Sequence, residues 1–161
     1  MSHPPPSPPE ADVDRLATAY LRAVYRWARE GDWHDIHIGL PVPGLELLYP
    51  QVRSFGLVSA WNPYSMPREE AANRRADLEL EAELTARGLA HLPSFSSATN
   101  RSWREPGWVV LDIDAAELDA LARRYGQLGA LWWPRGQAVR LRMQARRPPR
   151  FKADAPVDWL E

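Results

Sequence analysis

Between Pro50 and Pro63 the chain carries the stretch that most limits what it can fold into, Val52 to Ala60. Successive strand residues point to opposite sides, and here both sides are largely apolar: Phe55 and Leu57 on one, Gly56, Val58 and Ala60 on the other. A strand of that kind needs a covered sheet on both faces, so it belongs at the centre of a sheet and not at an edge. It stops abruptly in Trp61-Asn62-Pro63, two side chains with polar tips and a turn-former. Strand ends that stop in polar groups are common places for a site.

The rest of the chain can be ordered around that strand. Ser2 to Glu10 is a proline-rich lead that cannot build a helix or an interior strand, and we expect it to be disordered. A first helix is expected from Ala11 to Glu30. Val13, Leu16, Ala17, Tyr20, Leu21, Val24, Trp27 and Ala28 recur at three- and four-residue spacing, and Gly31 stops it. Ile36 and Ile38 alternate like a short edge strand before Pro41, Pro43 and Gly44 break the chain into loop. After Pro63, Ser65 is the expected cap of a second helix running from the Pro67 turn to Arg87, with Gly88 beyond it. Leu89 to Phe95 is a weak strand, Ser96 to Arg104 a polar loop, and Trp108 to Ile113 a strong strand. Asp114 and Glu117 form a variant capping box, and Leu118, Leu121, Ala122 and Tyr125 give its helix a buried stripe ending at Gly126. Gly129 to Trp133 and Ala138 to Met143 are the last two strands, the second half-exposed with Arg140 and Arg142 alternating outward. The order from Val52 onward predicts an α+β fold of the split βαβ, or ferredoxin-like, kind. Its antiparallel sheet carries an extra N-terminal helix and an extra C-terminal strand. Residues 11–145 are read as one domain, and residues 146–161 as a Pro- and Arg-rich tail. Val157, Trp159 and Leu160 are available to dock that tail back on the body.

Composition narrows the function classes. With 161 residues the chain can bury a core of ordinary size. A net charge of -1 gives no global field for nucleic acid or an anionic membrane. Cysteine is absent, which removes disulfides, thiol nucleophiles and thiolate metal sites and suits a reducing cytoplasm. No apolar run nears the roughly 20 residues that span a bilayer, and no signal-peptide pattern is present. Lysine occurs once, at Lys152, against many arginines, alanines and prolines, a codon signature of a high-GC bacterial genome.

Topology brings the polar groups together. In the split βαβ plan the central strand lies between the third and fourth strands and runs antiparallel to both. Its end at Trp61-Asn62 then sits beside Glu105, where the third strand starts, and Gln127, where the fourth starts. Asn73 shares the apolar stripe of the second helix with Ala76, Leu80 and Leu84, and that helix begins at the same end of the sheet. Trp61, Asn62, Asn73, Glu105, Tyr125 and Gln127 are therefore expected at one end of the sheet. A purely structural reading has Asn62 and Asn73 tying down the loop and Gln127 satisfying carbonyls near the Gly126 cap. A functional reading is a small pocket suited to a neutral, planar, hydrogen-bonding ligand such as a base or sugar. Glu105 is its one acid–base candidate. Asp112 and Asp114 lie toward the far end of the strand and give it no carboxylate partner.

Other chemistry finds little footing. His3, His34, His37 and His91 lack metal-ligand spacing, so no metal is expected. Ser94, Ser96, Ser97 and Thr99 form no nucleophile elbow, and no glycine-rich phosphate loop or other cofactor motif is present. Arg140, Arg142, Arg146, Arg147, Arg150 and Lys152, with Trp132 and Trp133 nearby, are the best nucleic-acid signal. Arginine is this chain's default basic residue, and a solvated edge strand and tail accounts for the group without a nucleic-acid partner.

The set Ala60-Trp61-Asn62-Pro63, Asn73 with Leu80 and Leu84, Trp103-Arg104-Glu105 and Tyr125-Gly126-Gln127 resembles the signature of a bacterial family, domain of unknown function 3293. The resemblance spans roughly residues 52–141. Tyr125 stands where phenylalanine is usual before Gly-Gln, and Pro106-Gly107 stands where a small polar residue is expected. The resemblance implies that these positions define the family and supplies no activity, cofactor or catalytic residue. The first functional expectation is a binding module taking a small polar ligand or a peptide at the Trp61-Asn62 end. The alternative is a small enzyme with Glu105 as general acid or base. A third is a protein–protein interaction domain in which the polar cluster is structural.

Overall fold

A computed structural model describes residues 9–100 and 103–161. The proline-rich lead lies almost wholly outside the described residues, as does the middle of the expected 96–104 loop. The fold is α+β. In chain order its elements are α1 (Glu10–Arg22), β1 (Val24–Arg29), β2 (Asp32–Ile36), α2 (Pro43–Leu48), β3 (Ser54–Val58), α3 (Glu70–Ala86), β4 (His91–Ser97), β5 (Arg104–Leu111), α4 (Ala115–Arg124), β6 (Gly129–Pro134), β7 (Arg140–Met143) and β8 (Val157–Trp159). A single 3₁₀ turn, Pro63–Ser65, lies between β3 and α3.

Eight strands form one sheet in the order β2-β1-β4-β5-β3-β6-β7-β8. The strand expected at the centre is β3, which lies between β5 and β6 and pairs antiparallel with both. Its two apolar sides meet two cores. Phe55 and Leu57 join Tyr25, Trp27, Val109, Leu131 and Trp133 on the side of α1, with the Phe55 and Trp133 rings stacked at 5.5 Å. Val58 and Ala60 join Leu80, Leu84, Val110, Leu118 and Leu121 on the side of α3 and α4. Gly56 lets α4 approach, because a Cβ there would meet Leu118 Cδ1 at 2.9 Å. Asp114 caps α4 as its sequence predicts, accepting from the Glu117 backbone N–H at 2.7 Å. Losing that bond in Asp114→Ala is expected to cost about 1 kcal/mol and roughly 2–4 °C in Tm, with Asp114→Asn near wild type. Thermal unfolding of the two variants checks it.

The sheet is larger than the expected plan and is mixed. β7 and β8 run parallel, and an isolated parallel bridge joins Ile38 to Val139. The expected first helix, Ala11 to Glu30, is the main correction. It ends at Arg22, and Ala23 is extended with ψ 155. The chain then forms β1, in which Tyr25 and Trp27 turn into the core while Arg26 is exposed. Trp27 fits a two-residue period with Tyr25 as well as the helical one, and pairing with both β2 and β4 decides for the strand. α2 and β8 are likewise additions. Phe151 and Val157 are buried in the α1-side core, and Arg140 and Arg142 both hold Asp158, so residues after 146 close the sheet's far edge. The second helix begins at Glu70 rather than near Ser65, which leaves residues 66–69 outside any helix, extended at Met66 and Glu69. No helix among the described residues is long and apolar enough to cross a membrane.

Candidate functional site

At one end of the sheet β3 and β4 finish while β5 and β6 begin. That register brings Asn62, Asn73 and Glu105 into one hydrogen-bonded chain. Asn73, buried on α3 as its place on the apolar stripe requires, accepts the Asn62 backbone N–H at 2.8 Å through Oδ1. Its Nδ2 donates to Asn62 Oδ1 at 2.9 Å. The Asn62 side chain thus points one way, and its Nδ2 donates to Glu105 Oε1 at 3.2 Å. Trp103 Nε1 donates to the same oxygen at 2.8 Å.

Gln127 comes to the same end but does separate work. Its Nε2 donates to the Trp61 carbonyl at 2.9 Å and to the Tyr125 carbonyl at 3.2 Å. Trp61 contributes through its backbone, and its indole Nε1 is buried without a partner among the described residues. Tyr125 contributes only its carbonyl, and its side chain leaves the group. Its hydroxyl donates to Glu83 Oε2 at 3.0 Å, and Glu83 also pairs with Arg87 and Arg124 between α3 and α4. A stripe residue of α4 that reaches α3 serves helix packing. Asp112 and Asp114 lie at the other end of β5, as expected, bonding Arg53 N–H and Glu117 N–H.

Three further side chains reach this end of the sheet: the sequence gives Tyr20 only a place on an apolar stripe and Ser65 only a helix-cap role, and it does not single out Arg68. Arg68 reaches back from the segment before α3, Nε to Asn73 Oδ1 at 2.7 Å and a terminal nitrogen to the Ala60 carbonyl at 3.1 Å. It gives the two amides a fixed charge behind them. Tyr20 on α1 lies over Gly129, where a Cβ would meet the ring carbons at 3.0 Å. Ser65 belongs to the turn that closes the end. In that turn Asn62, Tyr64 and Ser65 all have positive φ, at 47°, 60° and 59°. Left-handed backbone at consecutive non-glycine residues is sterically costly and persists only where the surroundings impose it. Here the Tyr64 N–H is held by the Gly126 carbonyl at 2.7 Å, and Gly126 has no room for a side chain against Pro63.

Under α1 this end of the sheet borders a partly open cavity of about 300 Å³. Asn62, Ser65, Glu105 and Gln127 line its polar side, and Leu16, Tyr20, Leu57 and Leu131 its apolar side. Trp103 stands at its wall beside Glu105. Asn73, Trp61 and Tyr125 do not line it. Burial pushes the Glu105 carboxyl up to about 7, against the opposing pull of the Asn62 and Trp103 hydrogen bonds. Both of those bonds fall on Oε1, so Oε2 has no hydrogen-bond partner among the described residues. Burial, then the nearby Glu105 charge, lifts the Tyr20 hydroxyl to about 12, so it stays protonated. Among the described residues no three His, Asp or Glu side chains gather into a metal-binding group.

In the Arg-rich C-terminal stretch, Arg140, Arg142 and Arg147 have local partners, while Arg146, Arg150 and Lys152 are exposed. Arg142 pairs with Asp119 at 2.8 Å and Arg140 with Asp158 at 3.0 Å, while Arg147 donates to the Phe151 carbonyl. Comparison with curated proteins gave no match, and comparison with solved structures gave none. The family comparison did: residues 58–129 match the family described as a protein of unknown function (DUF3293), and across that segment, which holds Asn62, Asn73, Glu105 and Gln127, the chain is DUF3293-like.

Proposed function

We propose that this protein is a small-molecule binding module whose site is the cavity at the Asn62–Glu105 end of the sheet. The observation that carries the reading is Glu105. It lines a cavity of about 300 Å³, its Oε1 is fixed by Asn62 and Trp103, and its Oε2 is left for a ligand. Pockets of this size with a few converging polar groups are the usual form of small-ligand sites. Asn73 and Arg68 act one layer back, holding the Asn62 amide in the orientation that serves Glu105. The order β4-β5-β3-β6, antiparallel at each step, supports reading the four central strands as a ferredoxin-like plan with additions on both sides. The cysteine-free composition supports a reducing cytoplasm as its compartment.

One observation favours an enzyme as the second reading. A carboxyl with a pKa of about 7 can both give and take a proton near neutrality, as a general acid or base must. It works alone, however, since no second carboxylate among the described residues lines the cavity.

A thermal-shift screen of small neutral and charged compounds tests the binding reading. A binder at 100 times its Kd stabilises by about 2.7 kcal/mol. The expected result is a stabilising compound whose affinity falls at least tenfold, about 1.4 kcal/mol, in Glu105→Gln. A hit that binds the variant as well as the wild type would move the site elsewhere.

A further inference from the structure

Resting on the reading above, we infer that the ligand of this cavity is an organic ammonium with an apolar body, its cationic nitrogen seated on Glu105 Oε2 and its body against the α1 side. The polar and apolar halves of the wall both point there. Glu105 is the one carboxylate among the described residues that lines the cavity. Its two hydrogen-bond donors, the Asn62 amide and the Trp103 indole, are neutral and sit on Oε1. No arginine, lysine or histidine among the described residues forms an ion pair with it. A carboxyl removed from water with neutral partners alone lacks the opposite charge that would offset its desolvation. A ligand cation at Oε2 supplies that charge. The rest of the wall suits what such a ligand would carry. Leu16, Leu57 and Leu131 offer aliphatic surface, and the Tyr20, Tyr25 and Trp103 rings are the side chains that attract cations through their π faces.

Among the described residues, the other charges at this end leave room for a cation. Arg15 lines the cavity from α1 but turns toward Asp12, at 3.7 Å. Arg68 is held by Asn73 and Ala60 behind the Asn62 amide. Arg104, next to Glu105 on β5, alternates to the opposite face of the sheet, among Val24, Arg26 and Phe95. Tyr20 from α1 and Tyr25 from β1 face Glu105, and both hydroxyls are raised well out of the neutral range, to about 12 for Tyr20. Glu105 is therefore the group that titrates near neutrality at this wall.

Isothermal titration of the full chain with matched probes decides it. The probes are 2-phenylethylamine, benzylamine and hexylamine, their alcohol counterparts, and 3-phenylpropanoate as an anion. The expected result is that at least one amine binds, at least tenfold tighter at about pH 8 than at about pH 5.5, since the carboxylate is the binding form. Its alcohol counterpart is at least tenfold weaker at the higher pH, and the anion does not bind. Glu105→Gln loses the amine preference. If alcohols or neutral hydrogen-bonding probes such as cytosine bind as well as the amines, or the amines ignore pH, the ammonium inference is overturned and the binding site stands. If no probe binds a wild-type protein that melts cooperatively, the ammonium inference and the binding reading fall together.

Discussion

At about pH 8, Glu105→Gln is expected to melt roughly 6–10 °C above the wild-type protein, and at about pH 4 the two are expected to melt together. The sign follows from the direction of the shift. In the fold Glu105 has its carboxyl raised from 4.5 to about 7, chiefly by burial. Between those values the folded chain holds a proton that the unfolded chain has released. The stabilisation tied to that proton is fully present below about 4.5, falls as pH climbs, and is gone above about 7, where the fold must bury a charge. Glutamine keeps the acceptor that Asn62 and Trp103 use and never ionises. The gap between variant and wild type therefore opens through that window and stays constant above it, on the order of 3 kcal/mol. Melting curves at several pH values measure it directly. A gap that is absent, or the same at every pH, would mean that Glu105 is hydrated, and the proposed site would lose its central group. A large gap has a second meaning. A residue retained at a cost in stability, where glutamine would fit the same bonds, is the pattern expected of a functional group.

The position of Glu105 was legible because it depends on strand order. A strand apolar on both sides must be central, and once β3 sits between β5 and β6 its end has to face residues 105 and 127. Asn73 was legible because an amide on an apolar helix stripe needs a partner. Tyr125 occupied the same kind of position, yet its ring lay toward α3 and its hydroxyl found Glu83. A stripe gives the face of a helix and leaves open which neighbour that face meets. β1 was hidden for a related reason: Val24, Trp27 and Ala28 keep the helical period while Tyr25 and Trp27 keep the strand period, and only pairing with β2 and β4 separates them. Misplacing that strand also hid the roof of the cavity. With α1 ending at Arg22, Tyr20 comes to rest on Gly129 and Tyr25 turns inward beneath it. Arg68 was hidden because its role depends on where α3 starts. In a helix beginning near Ser65 it would be one more exposed basic residue. In the non-helical segment before Glu70 it reaches Asn73 and the Ala60 carbonyl.

Asn73→Ala is expected to lower Tm by roughly 5–10 °C, about 2–3 kcal/mol, at neutral pH. Asn73 is buried, and its amide closes both ends of the bond pair with Asn62. Alanine leaves the Asn62 N–H without its acceptor, and it does so at a residue already held at φ 47°. Arg68 is exposed and can turn to water, so its lost bond adds less. The same substitution separates a staple that merely holds a loop from a support for Glu105. With Asn73 gone, Asn62 Oδ1 keeps only the Arg68 backbone N–H at 3.2 Å, so the side chain is held less firmly, and its hydrogen bond is one of the two pulling the Glu105 carboxyl downward. The midpoint of Glu105, followed by carbon-13 NMR of its side-chain carboxyl, is then expected to move above about 7. A protein that loses stability while the Glu105 midpoint stays in place would confine Asn73 to the loop. A midpoint that rises as stability falls would make the two amides and the carboxyl one device, in which α3 sets the charge at the cavity wall through a single asparagine.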